Sequence, residues 1–449
     1  MAFFIKILVL ILAILMFVVK PKYKLSTLVF SCICLDSVIV DFVPFGGAQS
    51  LLSITFFLSE LPHLKTKISE IRSTPIYRLL LMMVCATFIL VVFSPHYHDI
   101  YNIIRLLIME LLCKYFALAY GFFCVRRISD LRPTIKVIIF SLAIVTILGF
   151  MNLYTKQSLW INILYPKGID VMDDFSVSDR FRVQSMFANP FCYGYICSLL
   201  MSLFLFFHQK KILNGLQYVS LLLMCVFGIV YCGCRTNILV CFLGVLFFYY
   251  YILSSRKKIK YLSFSVLGLI ISLFLFRSHI PSLLDYWGTA FVVDTDAGAK
   301  GLGGSSIAMR LIQLYSVFTY INGHWLFGRG LDFFSIDIGW SSGDAQTAID
   351  EGLFGLEGVY LSLLLERGIV GFLFWLIFYC VLFMHFKSKL DVSRDLVALG
   401  VSVLIAYVSF SMMTGELHSV YPTLLFLGVL IKIIYILERN NIKTNIANP

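Results

Sequence analysis

Charged side chains are scarce in this chain. Asp, Glu, Lys and Arg make up 14% of 449 residues, where soluble domains carry about 25%. With 60% hydrophobic residues and a mean hydropathy of +0.90, that deficit excludes a soluble globular domain and leaves an integral membrane protein. Two-residue alternation is missing as well. The apolar runs are long and continuous, as in 135–151 (IKVIIFSLAIVTILGFM) and 237–253 (NILVCFLGVLFFYYYIL), and approach the roughly 17–25 residues that span a bilayer core. Such runs exclude a closed β-barrel and predict helices. No small-residue cleavage site follows the apolar residues 3–19, only Lys20, Lys22 and Lys24, so a retained first helix is expected rather than a cleavable signal peptide. No internal repeat is visible.

Other absences remove further classes. The net charge is +11, but the basic residues lie in short loops between apolar runs and form no continuous patch, so nucleic acid is not an expected partner. Nearly all of the 12 cysteines lie within apolar runs (Cys32, Cys34, Cys85, Cys113, Cys124, Cys225, Cys241 and Cys380 among them), where they behave as small hydrophobes. Cys232 and Cys234 flank Gly233 at a helix end. His96, His98 and Asp99 resemble the start of a metal cluster but have no further ligand in view. The glycines from Gly298 to Gly304 have no strand-and-helix frame for a phosphate loop. No metal and no cofactor are therefore expected.

The fold class read from the sequence is all-α, a single polytopic membrane domain over 1–449. Candidate spans lie at roughly 3–19, 25–43, 46–60, 78–94, 103–124, 135–151, 189–207, 216–232, 237–253, 261–276, 369–386, 395–412 and 419–437. The third is weak, so 12 or 13 are expected. Lys and Arg then sort by face. One set of alternate loops holds 22 of the 36, from Lys20 to Lys443; the opposite face holds 10, and Lys6, Arg105, Lys114 and Lys432 lie inside or beside helices. Positive charge collects on the cytoplasmic side, which puts the N-terminus outside and the C-terminus inside, provided that the third span is real. Arg105, Glu110 and Lys114 are the one ionisable cluster inside a run; about a turn apart, they pair with one another as readily as they line a path.

The sparsely charged face carries the two long connections, 152–188 and 277–368, and loops of that length are uncommon without a function. The second is expected to hold an amphipathic helix near 306–320, with Ile307, Met309 or Arg310, Leu311, Leu314 and Val317 at helical spacing and Arg310 at its polar edge. Seven arginines lie on this face, where the topology rule does not require them; besides Arg277 and Arg367, which is counted with the outer loops, they are Arg180, Arg182, Arg235, Arg310 and Arg329. An anionic ligand explains them, and at a membrane surface the common anion is phosphate. Arg180 and Arg182 precede Asn189-Pro190, which opens the next helix, and a helix N-terminus favours anions. Arg235 follows a helix end in CGCRTNIL. Arg329 stands between Gly328 and Gly330, where backbone can approach a ligand. Glu357, Tyr360 and Ser362 lie near the outer end of the helix that re-enters the membrane; Glu357 could take a proton from a sugar hydroxyl, orient substrate, or pair with an arginine. His418, with Glu416, lies in the last outer loop. The outer Trp160, Trp287, Trp325 and Trp340 suit sugar stacking or an interfacial belt equally.

These segments resemble the O-antigen polymerase and O-antigen ligase superfamily of bacterial envelope proteins. The residues that carry the resemblance run from about 180 to 375: Arg182 to Gly194 (RVQSMFANPFCYG), Cys234-Arg235-Thr236 where the family often has Ser-Arg-Thr, Arg310, the turn Leu326-Phe327-Gly328-Arg329-Gly330, and Glu357 to Gly371 with its ending Arg367-Gly368-Ile369-Val370-Gly371. The layout of about 12 helices with one large loop late in the chain agrees. Each motif is short; their order and spacing are the more specific signal.

The resemblance implies a metal-independent glycosyltransferase of the inner membrane, active on its periplasmic face. It would use undecaprenyl-diphosphate-linked oligosaccharide and no nucleotide sugar, with a chain-length regulator as a further partner. Arg182, Arg235 and Arg310 would then hold the diphosphate and, with Glu357, form the catalytic set; Arg180, Asn189, Arg329, Tyr360 and His418 would bind substrate. Ligases of the superfamily usually place a His-Asn pair before the Tyr-Leu of the last motif. Here Glu357-Gly358 precedes Tyr360-Leu361, which favours a polymerase of repeat units over a ligase acting on lipid A core. A flippase or transporter of the same lipid is the alternative from another class, and it would place ionisable residues along a path inside the helices.

Overall fold

The computed structural model describes residues 2–40, 47–93, 100–165, 181–253, 307–331, 333, 353, 356, 358–415 and 419–447. Within them the chain folds as α1 (Ala2–Val18), α2 (Pro21–Cys34), α3 (Ala48–Glu60), α4 (Leu64–Ile71), α5 (Pro75–Phe93), α6 (Ile100–Leu107) with a π-helical continuation (Ile108–Tyr115), α7 (Ala117–Cys124), α8 (Arg132–Thr155), α9 (Leu159–Leu164), α10 (Pro190–Gln209), α11 (Gly215–Tyr231), α12 (Arg235–Ile252), α13 (Ile307–Tyr320), α14 (Val359–Ser388), α15 (Arg394–Thr414) and α16 (Val420–Ala447). The only β pairing among the described residues is an isolated bridge between Ile39 and Gly47. The protein is an all-α polytopic membrane protein. Among the described residues seven helices are long and apolar enough to cross a bilayer, or eight if Ile103–Tyr115 and Ala117–Cys124, bent by 46°, form one span. The first and eighth expected spans fold as the shorter apolar helices α1 and α11, and 261–276 lies outside the described residues.

The weak third span is a helix. α3 has 13 residues, about 20 Å at 1.5 Å per residue, so it does not cross a bilayer core of about 30 Å unaided. It nevertheless runs back from the turn after α2 to the face where α2 begins. Lys24, in the first turn of α2, donates to Glu60 (2.7 Å) and to Ser59 (2.8 Å) at the end of α3, and Lys67 pairs with the same carboxylate. At the other end Ser37 donates to the Met186 carbonyl (2.8 Å) and Asp36 accepts from the Ala188 amide (3.2 Å). The ends of α2 and α3 therefore lie on opposite faces, as alternation of the loops requires. The same basic-rich face carries the pairs Lys210–Asp395, Lys389–Glu438 and Lys432–Glu70.

Small residues set the helix contacts, as expected where lipid gives no hydrophobic drive between helices. α7 and α16 touch through Gly121 and Gly428: a methyl on either would overlap a backbone carbonyl oxygen of the other helix, Leu425 or Leu118. α10, α12 and α15 meet at Ser202, Gly244 and Ser402, where the Ser402 hydroxyl donates to the Gly244 carbonyl (2.6 Å) and lies 3.0 Å from the Ser202 hydroxyl. One large apolar core runs through the bundle, and a smaller cluster of Val317, Phe333, Leu353, Leu361 and Leu365 joins α13 to the start of α14.

Candidate functional site

The segment 181–189 is pinned along its length. The Val183 amide donates to the Tyr231 carbonyl at the end of α11 (2.9 Å). Ser185, with a positive φ of 52°, donates its hydroxyl to the Val145 carbonyl of α8 (2.6 Å). Asn189 caps α10 by accepting from the Cys192 amide (2.8 Å), and Pro190 takes the first helical position, where it costs no hydrogen bond. The side-chain oxygen of Asn189 thus serves the helix.

This segment lies against the 232–237 turn. Gly194 stands so near Asn237 and Cys232 that a methyl there would overlap both side chains, and the Asn237 amide donates to the Phe191 carbonyl (3.1 Å). Gly233 adopts φ +67°, and a Cβ on it would sit 3.0 Å from Cγ of Arg182. The stem of Arg182 therefore lies on the one residue of the turn that presents bare backbone, two positions before Arg235. Arg235 opens α12, whose N-cap Cys234 makes no side-chain capping bond. Arg182 and Arg235, distant in sequence, are half-buried neighbours in one corner between the starts of α10 and α12. Arg235 at the first position of α12, with the stem of Arg182 on Gly233 two residues before it, suits a phosphate-bearing anion, because helix dipole and fork geometry both favour it.

Arg310 and Arg329 belong to a second layer. α13 packs on α14 through Leu314 and Val317 against Leu361 and Leu365. A helix stands where one was expected, but its packed stripe differs from the sequence reading. Gln313 (1% exposed), Val317 and Ile321 face inward, while Leu311 (56%) and Tyr315 (75%) face out. Arg310 lies one turn before Gln313 and Leu314 with its Nε buried, so it stands on the packed side rather than at a solvated polar edge.

Arg329 sits in a turn that clasps a break in α14. Gly368 has non-helical angles (φ 63°, ψ −168°), which orphan backbone groups on both sides. The turn supplies their partners. The Arg329 and Gly330 amides donate to the Leu365 and Glu366 carbonyls (2.7 and 2.9 Å), and the Ile369 and Val370 amides donate to the Trp325 and Leu326 carbonyls (2.9 and 3.1 Å). No side chain fits at Gly328 or Gly368, where a Cβ would overlap the facing backbone. Arg329 also donates Nε to the Tyr320 carbonyl (2.6 Å), which gives it a structural task. Tyr360 packs on the small cluster and against Gly358. The 20 residues from Ile369 to Ser388 rise about 30 Å, a full crossing, and match the expected span at 369–386.

One buried ion-pair partner escaped the sequence reading. Arg367, counted there with the outer loops, is 5% exposed and donates to Glu110 (2.8 Å) on the π-helical segment; Lys114 donates to the same oxygen (2.7 Å). The signal available was an acid inside an apolar run with more basic partners than its own helix needed. Arg180, Glu357 and His418 lie outside the described residues, as do Glu416, Trp287, Trp340, His96, His98, Asp99 and the glycines 298–304. Among the described residues no group of His, Cys, Asp and Glu could hold a metal. No family model matches the chain, and no curated protein matches it.

Proposed function

We propose that this chain is a polymerase that joins undecaprenyl-diphosphate-linked oligosaccharide repeat units into a longer surface polysaccharide at the outer face of the bacterial inner membrane. The observation that carries the reading is the corner where Arg182 lies on Gly233 beside Arg235. In the proposed reaction an acceptor sugar hydroxyl attacks the anomeric carbon of the lipid-linked chain. The new glycosidic bond forms as the bond to the diphosphate breaks, the lipid diphosphate leaves with the electron pair, and a base takes the hydroxyl proton. Arg182 and Arg235 hold the diphosphate and stabilise its growing charge, the main task of preorganised cations at such sites. Arg310 joins them as a third cation, and Glu357 is the candidate base.

Deletion followed by gel analysis of surface polysaccharide tests this. A polymerase deletion leaves single repeat units on the lipid A core, a ligase deletion leaves none, and wild-type chain lengths would refute both. Arg182→Ala and Arg235→Ala are each expected to lower polymer output by about 10²–10³ at unchanged membrane abundance. Full activity in both would remove the phosphate argument.

The flippase reading is favoured by one observation, the buried charges of Glu110 and Arg367, with the half-buried Lys114, beside a broken helix, since such residues often mark a transport path. Accumulation of lipid-linked repeat units on the inner leaflet of a deletion strain would establish it in place of the polymerase.

A further inference from the structure

The bundle borders a half-open apolar cavity of about 710 Å³ at the end of α10 remote from Arg182 and Arg235. Five helices wall it, through Ile33 of α2, Ile138 of α8, Leu203 of α10, Leu399 of α15 and Leu430 of α16, each at most 6% exposed. Its polar lining is confined almost entirely to one end: Ser129 and Arg132 at the start of α8, Lys210 just past α10, and Ser393 just before α15. The one deeper hydroxyl, Thr134, is satisfied by Ser26 at 3.1 Å. A half-open apolar cleft of this size between membrane helices suits hydrocarbon, because apolar surface gains by contact with apolar matter.

Charge decides what the hydrocarbon is attached to. Arg132 is exposed at the mouth, Lys210 is partly neutralised by Asp395 and Lys389 by Glu438, and Arg126, Arg127, Lys136, Lys211 and Arg394 stand on the same face against the further acids Asp130 and Asp391. Eight basic residues there face four acids, so the balance is positive. We infer that this cavity is a binding site for an anionic phospholipid of the basic-rich leaflet, with acyl chain between the five helices and phosphate at Arg132 and Lys210. Basic pockets between membrane helices on the positive side take such headgroups. The site is independent of the proposed polymerase corner, since α10 has the arginine corner at its start and this mouth at its end.

The test uses the full chain purified in mild detergent and titrated with phosphatidylglycerol under native mass spectrometry. One phosphatidylglycerol per chain is expected to survive purification and to bind more tightly than phosphatidylcholine of the same chains. Each cation near an anionic lipid is worth about fivefold in affinity, so Arg132→Gln should lose about fivefold and Arg132→Gln with Lys210→Gln about 25-fold. Arg132 is exposed, so the single variant keeps the fold and by itself decides the outcome. Leu203→Phe, which narrows the cavity without touching charge, should also weaken binding. The inference is overturned by equal affinity for phosphatidylcholine, by phosphatidylglycerol binding that ignores Arg132→Gln, or by undecaprenyl phosphate displacing phosphatidylglycerol at lower concentration, which would make the occupant a polyprenyl lipid.

Discussion

Gly233 has two reasons to be glycine, and both bear on the arginine corner. Its φ of +67° is a conformation that other residues rarely adopt, and the space a Cβ would fill lies against Cγ of Arg182. Gly233→Ala should cost about 1–2 kcal/mol in backbone strain and push Arg182 away from Arg235. Under the proposed polymerase function, polymer output is expected to fall much further than the thermal midpoint of the purified protein, as measured by gel analysis and by unfolding in detergent. Equal retention of both would show that the contact does not position the arginine. Asn189 and Arg329 illustrate a limit at this scale. The sequence marked both as binding residues, and the structure gives each a backbone task, because capping and turn closure use the same polar atoms that a ligand would.

At the scale of elements, two irregular segments face each other. The π-helical turn at Ile108–Tyr115 and the break at Gly368 are joined by Arg367 and Glu110, and π-helical turns recur at functional positions. Removing one partner of a buried pair leaves an uncompensated charge, at about 3–5 kcal/mol. Glu110→Gln is therefore expected to destabilise the protein strongly, and Glu110→Gln with Arg367→Met should recover much of the loss. A double variant no more stable than the single one would refute a paired network. The clasp of residues 325–330 on α14 was legible only in part. The glycines Gly328, Gly330 and Gly368 announce close backbone approach, but nothing local says which turn approaches which helix.

At the scale of the whole molecule, helix contact through small residues governs assembly. α7 and α16 meet where Gly121 and Gly428 each face the other's backbone carbonyl. Gly428→Leu must part the two helices, so loss of folded protein from the membrane fraction is expected, while the same change at the exposed Gly215, with nothing near its Cβ position, should be tolerated. Comparable abundance of the two variants would refute the crossing.

The class of protein was fixed by composition and pattern, because burying 60% apolar residues with so few charges leaves helices or a closed barrel in lipid, and long runs without two-residue alternation select the helices. The alternation of faces was also legible: 22 basic residues in one set of loops against 10 in the other predicts the same ordering of ends that Lys24–Glu60 and Ser37–Met186 display. The neighbourhood of Arg182 and Arg235, the inward side of Arg310, the burial of Arg367 and the basic-mouthed cavity were decided only by tertiary structure. Each depends on which helix lies beside which. In lipid that choice rests on small-residue fit and scattered polar pairs, and no one-dimensional periodicity records it.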